Sequence, residues 1–205
     1  MGKMSLGCLS NIELYHDIID CLVGALEAKD LYTSGHSRRV ADMSYDLAKL
    51  LGIRGKELDD IHMATHVHDI GKIGVPDYIL NKAEKLSEHE WAYIKKHPEI
   101  GSNILDCSKT LKDISIIVLY HHERWDGGGY PLGLKFTDIP LGSRIISICD
   151  SIDAMTSQRA YRKALSWEEC RQEIEINSGL QFDPKLVNAT NQLWSTWTNY
   201  RNNKK

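Results

Sequence analysis

Nine histidines in a chain of 205 residues are many, and their positions say more than their number. His68 is followed at once by Asp69, and adjacent side chains on a helix point about 100° apart. In that arrangement an aspartate can bridge two metal ions while the histidine binds one of them. A His-Asp dipeptide by itself is usually accidental. His121 and His122 stand together before Glu123 and a glycine-rich stretch, and His121 extends an apolar stripe through Ile114, Ile117 and Val118, so it faces inward. A buried histidine is more often a hydrogen-bonded core residue than a ligand, but two in succession beside such a loop suggest a site. His97 precedes Pro98, where a solvated imidazolium at a helix end is an equally good reading. Asp150 and Asp153 lie one turn apart in an otherwise apolar run from Arg144 to Met155. Buried carboxylates are costly unless paired or metal-bound, so at least one of them needs a cation. His62 and His66 have i, i+4 spacing but lack the glutamate of a zinc-protease motif, and they read as structural.

Taken together, His36, His68, Asp69, His97, His121, His122 and Asp150 come from separate helical segments, which is how helix bundles assemble metal centres. Nitrogen and oxygen donors without thiolate favour Fe, Mn, Zn, Co or Ni over Ca or Mg. Two such ions a few Å apart suit attack of a bridging hydroxide on phosphorus, with both cations absorbing charge on the phosphoryl oxygens.

The elements that must position these residues are helical. Tyr15, Ile18, Ile19, Leu22 and Leu26 form one stripe of a first helix. A second helix is predicted from His36 to Leu51, stopped by Gly52, and a third from Lys56 to Asp69, broken by Gly71, Gly74 and Pro76. Ser87 with Glu90 is a capping box that starts a helix carrying Trp91 and Ile94, which Pro98 kinks or ends before a short helix from Ile100 to Leu105. Further helices pass through Ile114–Val118 and Ile145–Ile152, and Ser166 with Glu169 forms a second capping box. Between Asp126 and Pro140 the chain is irregular, with Gly127, Gly128, Gly129 and Gly133. No strand-period run, internal repeat or linker appears. The reading is all-α: one helical-bundle domain with one glycine-rich loop.

Composition agrees with this reading and excludes several classes. With 42% hydrophobic and 26% charged residues, the chain is neither disordered nor of low complexity. A net charge of -3 gives no general attraction to nucleic acid or anionic membrane, so phosphate binding must rest on a local patch or a metal. No apolar run is long enough to span a bilayer, and the first ten residues contain no secretion signal. Five scattered cysteines without a CxxC pair give no disulfide framework or zinc ribbon, and a cytoplasmic location with reduced thiols is expected.

Several segments in order resemble the HD-GYP family of bacterial cyclic di-GMP phosphodiesterases, within the HD phosphohydrolase superfamily. They are Lys29-Asp30 leading to His36-Ser-Arg-Arg-Val40, His68-Asp-Ile-Gly-Lys72, and His121-His-Glu-Arg-Trp-Asp-Gly-Gly-Gly129-Tyr130-Pro131. Arg144 to Asp150, Asp153 to Arg162 and Phe182-Asp183-Pro184 complete the match. The resemblance implies hydrolysis of cyclic di-GMP to the linear dinucleotide and, in some members, on to GMP. It assigns His36, His68, Asp69 and Asp150 to one metal, with Asp69 bridging to a second held by His97, His121 and His122. Two divalent transition-metal ions are implied, iron or manganese, with zinc, cobalt or nickel as alternatives.

The same resemblance makes Lys72 a donor to a phosphate oxygen or metal-bound water, and Arg159 and Arg162 a phosphate-binding pair. Without it, Lys72 reads as an ordinary exposed lysine and the arginines as a helix-end charge cluster. Gly127-Gly128-Gly129 fits neither GxGxxG nor a Walker A motif. These glycines permit positive φ and close approach to a ligand or partner, with a plain surface turn as the alternative, and the family links this loop to protein contacts.

Three features depart from the pattern. Tyr32 stands where some members carry a glutamate for a third metal, which favours two. Ala160 replaces a usual proline, and the receiver or sensory domain common in the family is missing, as in a free-standing domain or a piece of a longer protein. The expected organisation is a tail over 1–11, the HD-GYP domain over 12–187 and a C-terminal helix or frayed tail over 188–205. Hydrolysis of another cyclic dinucleotide or a mononucleotide, and a non-catalytic module that binds cyclic dinucleotides and proteins, remain the alternatives.

Overall fold

Local signals in the sequence set most of the helix boundaries in the computed structural model, which describes residues 11–30, 35–158 and 163–202. Helix α1 spans Asn11–Lys29, α2 His36–Leu50 and α3 Lys56–Val67. After α3 the chain tightens into a 3-10 turn over Ile70–Gly74, then forms the single-turn α4 at Asp77–Leu80. Ser87 caps α5 (Glu88–Ile94): its hydroxyl accepts from the Glu90 amide at 3.3 Å, and the Glu90 carboxylate accepts from the Ser87 amide at 2.8 Å. Next come α6 (His97–Asp106), α7 (Lys112–Leu119) and α8 (Leu141–Thr156). The chain ends with α9 (Trp167–Ile176), α10 (Pro184–Thr190) and α11 (Trp194–Asn202), α9 entered through the second capping box. Among the described residues there is no strand, only an isolated bridge between Ser178 and Phe182. None of the described helices is long and apolar enough to cross a membrane.

The core lies where α2, α3, α7 and α8 meet, around Val40, Leu47, Ile61, Val118, Ile145 and Ile148, all essentially without solvent contact. Burial of one such side chain contributes about 1.5–3 kcal/mol, so this cluster can support buried polar groups along one of its edges.

Three expectations need correction. Pro98 neither ends nor kinks a helix; it sits in the first turn of α6, where its missing N–H leaves no hydrogen bond unmade. The stripe on α1 is only half buried. Ile19 and Leu26 enter the core, whereas Ile18 is 49% and Leu22 40% exposed, because the elements packed on α1 cover one flank of the stripe. The third helix ends at Val67, two residues early; His68 keeps helical dihedrals as its C-cap, and Asp69 is the residue that leaves the helical direction. At the C-terminal end, Trp194 and Trp197 both enter the core, and the Trp197 indole donates to Asp46 at 3.1 Å.

Candidate metal centre

Three histidines share one local device. His68 follows α3, His97 opens α6 and His121 lies just beyond α7. In each, Nδ1 sits close to the carbonyl three residues earlier: Thr65 at 2.7 Å, Ile94 at 2.8 Å and Val118 at 2.6 Å. A carbonyl only accepts, so each Nδ1 carries the proton and each Nε2 presents a lone pair to the centre. His36 is fixed by a side chain instead, with Nδ1 2.8 Å from Asp153. Asp153 is in turn held by Arg39 at 2.7 and 3.0 Å and by the Ser157 hydroxyl at 3.2 Å. Carboxylate–histidine pairs of this kind orient metal ligands and raise their basicity.

Asp69 occupies the middle. Its Oδ2 lies 3.5 Å from His68 Nε2 and 4.0 Å from His36 Nε2, while Oδ1 lies 3.4 Å from His97 Nε2. One carboxylate thus turns an oxygen toward each of two donor groups. His36, His68 and Asp69 form the first and His97, His121 and His122 the second, each with ligand atoms within 4.8 Å of one another. Asp150 stands at the side of the first group, 3.2 Å from His36 Nε2.

The donor chemistry fits metal ions. His97 and His121 bring their Nε2 atoms to 3.2 Å, yet both have committed their proton to Nδ1. Two lone pairs face each other there, and only a proton or a metal cation between them makes the contact favourable. A proton is disfavoured: burial holds His97 below the usual imidazole range although Asp69 pulls the other way, and burial with the neighbouring imidazoles holds His121 well below it and brings His122 down to about 3. The first group behaves in the opposite way. Burial opposes a charge on His36, but Asp150 and Asp153 outweigh it and push its imidazolium up to about 9. Burial also favours a neutral Asp69, but Lys72 and the surrounding imidazoles outweigh it and hold the carboxyl well below its usual range. The site is built around positive charge.

Lys72 is not the exposed lysine of the bland reading. Its side chain is 18% exposed, and Nζ lies 2.7 Å from Asp69 Oδ2 and 3.2 Å from Asp30. Burial works against its charge, but the two carboxylates outweigh that and hold the ammonium on above the ordinary lysine range. Arg159 and Arg162 fall outside the described residues, as does Tyr32.

The glycine-rich loop is tied down from beneath. Glu123, 2% exposed, accepts from the amides of Leu132, Gly133 and Leu134 at 2.7, 3.0 and 3.1 Å. Gly127 and Gly133 adopt positive φ. A Cβ on Gly129 would collide with the backbone of His122, Glu123 and Arg124, so its close approach is to the chain's own main chain. Tyr130 then stacks on His122, with centroids 4.9 Å apart and planes 27° from parallel. Replacing Glu123 with alanine leaves three loop amides without their acceptor. A loss on the order of 3 kcal/mol in denaturant unfolding is expected, with faster amide exchange at residues 132–134. Unchanged exchange there would contradict this role.

Three contributors went unremarked as site residues in the sequence: Arg39, Asp30 and Glu123. Their partners are 114, 42 and 9–11 residues away, and only Glu123, adjacent to the histidine pair, gave any local signal. His62 and His66 pair with each other at 3.3 Å, away from the centre, and Tyr45 packs edge-on against His62. That matches their structural reading.

Both donor groups open on one cavity of about 760 Å³, whose lining includes His36, Asp69, Lys72, His97, His122 and Asp150 together with Glu88, Trp91 and Ile94 of α5.

A family model described as HD domain matches residues 21–186. The chain is 40% identical to a cyclic di-GMP phosphodiesterase of Thermotoga maritima over 84% of this chain and 48% of that protein. It is 39% identical to a 3'3'-cGAMP-specific phosphodiesterase of Vibrio cholerae over 89% of this chain and 35% of that one. It therefore spans between a third and a half of these curated relatives. Among solved structures, an HDG"Y"P protein from Bdellovibrio bacteriovorus superposes with a TM-score of 0.67 at 20% identity, covering 90% of this chain and 65% of that one, a likeness of fold. With that model spanning most of its length, and with His68-Asp69 in place, the chain belongs to the HD domain family.

Proposed function

We propose that this domain is a metal-dependent phosphodiesterase that hydrolyses cyclic di-GMP to the linear dinucleotide, the product that some members of the resembled family carry on to GMP. The observation that carries this reading is Asp69, with one oxygen toward each imidazole group, at the wall of a cavity large enough for a small-molecule ligand. His36, His68, Asp69 and Asp150 would hold one ion, and Asp69, His97, His121 and His122 the other. Two divalent ions, when bound, supply Lewis acidity toward a phosphoryl oxygen and a water nucleophile at neutral pH. Imidazole and carboxylate donors without thiolate support iron or manganese, with zinc, cobalt or nickel as alternatives.

The chain's own residues do the rest. Asp153 keeps the His36 ring in one orientation. Lys72 keeps its proton, so it acts as a fixed positive charge and hydrogen-bond donor rather than as a base. Burial keeps the Tyr130 phenol protonated, which leaves a donor on the cavity wall. Arg159 and Arg162 would bind substrate phosphate. A cytoplasmic location belongs to this reading, as does a protein partner at the Gly127–Pro131 loop, supported by exposed Leu132 and Phe136 beside it.

A second substrate, cyclic GMP-AMP, is favoured by the names of three Vibrio cholerae relatives. The test is product chromatography after metal-loaded protein is incubated separately with cyclic di-GMP, cyclic GMP-AMP and cyclic di-AMP. Fastest turnover of cyclic di-GMP is expected. A preference for cyclic GMP-AMP selects the second substrate, and no turnover of any of them by metal-loaded protein ends the cyclic-dinucleotide phosphodiesterase reading.

A further inference from the structure

Helix α5 is unusual in contributing no buried residue to the core, although it carries Trp91 and Ile94. It is nevertheless firmly anchored. The capping box fixes its start, Lys82 clamps Glu90 through both carboxylate oxygens at 2.7 and 2.8 Å, and the carbonyl of Ile94 accepts from His97. Trp91 and Ile94 lie one turn apart, and both line the cavity on which the donor groups open. Trp91 keeps 45% of its surface in solvent, a large apolar area to leave wet on a rigid wall.

The cavity contains a second aromatic ring, Tyr130, but that ring is taken: His122 stacks on it and the Lys95 ammonium lies 5.5 Å from its centroid. Among the described residues, no aromatic ring packs on Trp91. The volume of about 760 Å³ also far exceeds what a phosphodiester alone needs, so the space facing α5 must receive the rest of the substrate. Isolated exposed aromatics are ordinary on protein surfaces, but this one lines the same cavity as the donor groups.

We propose that Trp91 is the platform on which a purine base of the substrate stacks while a phosphodiester lies at the Asp69 side of the cavity. This rests on the cyclic-dinucleotide reading above and adds a base-binding residue to it. Stacking on an indole is tolerant of base identity, because every base has a π-face. Trp91 therefore contributes affinity without choosing between guanine and adenine, and any such choice falls to other residues.

The experiment compares parent, Trp91→Ala and Trp91→Phe proteins, all metal-loaded, in two measurements. One is the Kd for a hydrolysis-resistant phosphorothioate analogue of cyclic di-GMP and of cyclic GMP-AMP. The other is the initial rate with cyclic di-GMP, together with metal content. Trp91→Ala is expected to raise Kd and KM roughly 5- to 100-fold for both nucleotides, with kcat and metal content near the parent's, the scale of one lost base–aromatic stack. Trp91→Phe retains a ring and should recover most of the affinity. Unchanged Kd in Trp91→Ala overturns the platform. Loss of metal with loss of kcat also overturns it, making Trp91 a support for His97. A parent that binds the analogue but turns over no nucleotide ends the phosphodiesterase reading while the Kd comparison still decides the platform. A parent that does neither ends both.

Discussion

Asp69→Ala is expected to abolish turnover, by at least about 10³-fold, and to lower the metal content of the purified protein while its helical circular dichroism stays close to the parent's. The magnitude follows from position. Losing a residue that merely orients a metal ligand typically costs 10–100-fold, and Asp69 is placed to ligate on both sides. Its removal should not unfold the chain, because Asp69 lies at the edge of the core, in the bend between α3 and the 3-10 turn. Lys72, the cation left behind, keeps Asp30 at 3.2 Å. Metal analysis alongside product chromatography checks the expectation. An active, fully metallated Asp69→Ala protein would refute the bridging assignment.

Lys72→Met keeps most of the side-chain volume and removes the charge. It should lower kcat roughly 10²- to 10³-fold, the scale for losing one charge-stabilising donor, with near-normal substrate affinity and both ions retained. Retention of metal is expected because an ammonium has no lone pair to offer a cation. The structure also sharpens the role. Burial disfavours the charge on Lys72, but Asp69 and Asp30 more than compensate and raise its pKa. In the chain without bound metal the proton therefore stays on Lys72 through the neutral range, which suits a donor rather than a base. Accordingly, the pH profile of the residual Lys72→Met activity should keep the parent's limbs in the neutral range. A kcat within a factor of about three of the parent would remove the electrostatic role, and loss of metal with activity would make Lys72 a support of Asp69.

What the sequence made legible, and what it hid, follows the range of the interactions. Capping is local, so Ser87 with Glu90 and Ser166 with Glu169 marked their helices correctly. The histidine–aspartate pair and the double histidine are likewise readable, because they depend on neighbours; His121 is buried as its stripe implies, although α7 stops at Leu119, two residues before it. Pro98 was misread because proline stops one helix and starts another by the same missing donor, and only the fold decides which. The half-exposed stripe of α1 was hidden because periodicity gives the apolar face but not how much of it is covered. The support around the centre was hidden for a deeper reason. Arg39 meets Asp153 across 114 residues and His36 meets it across 117, contacts that exist only once α2 packs on α8. Asp153 was flagged only as a carboxylate in need of a cation, and the fold supplies Arg39 and His36. Gly129 was assigned a close approach, but the neighbour it makes room for is the backbone of residues 122–124 rather than a ligand.

In the proposed reading, Asp69 joins two metal sites that act as one phosphodiesterase centre. The most direct test is metal stoichiometry measured on anaerobically purified protein in the same sample whose turnover of cyclic di-GMP is followed by product chromatography. Two transition-metal ions per chain are predicted, with turnover falling as either ion is withdrawn by chelation and returning when both are restored. Full turnover by protein that holds a single ion per chain would contradict the account.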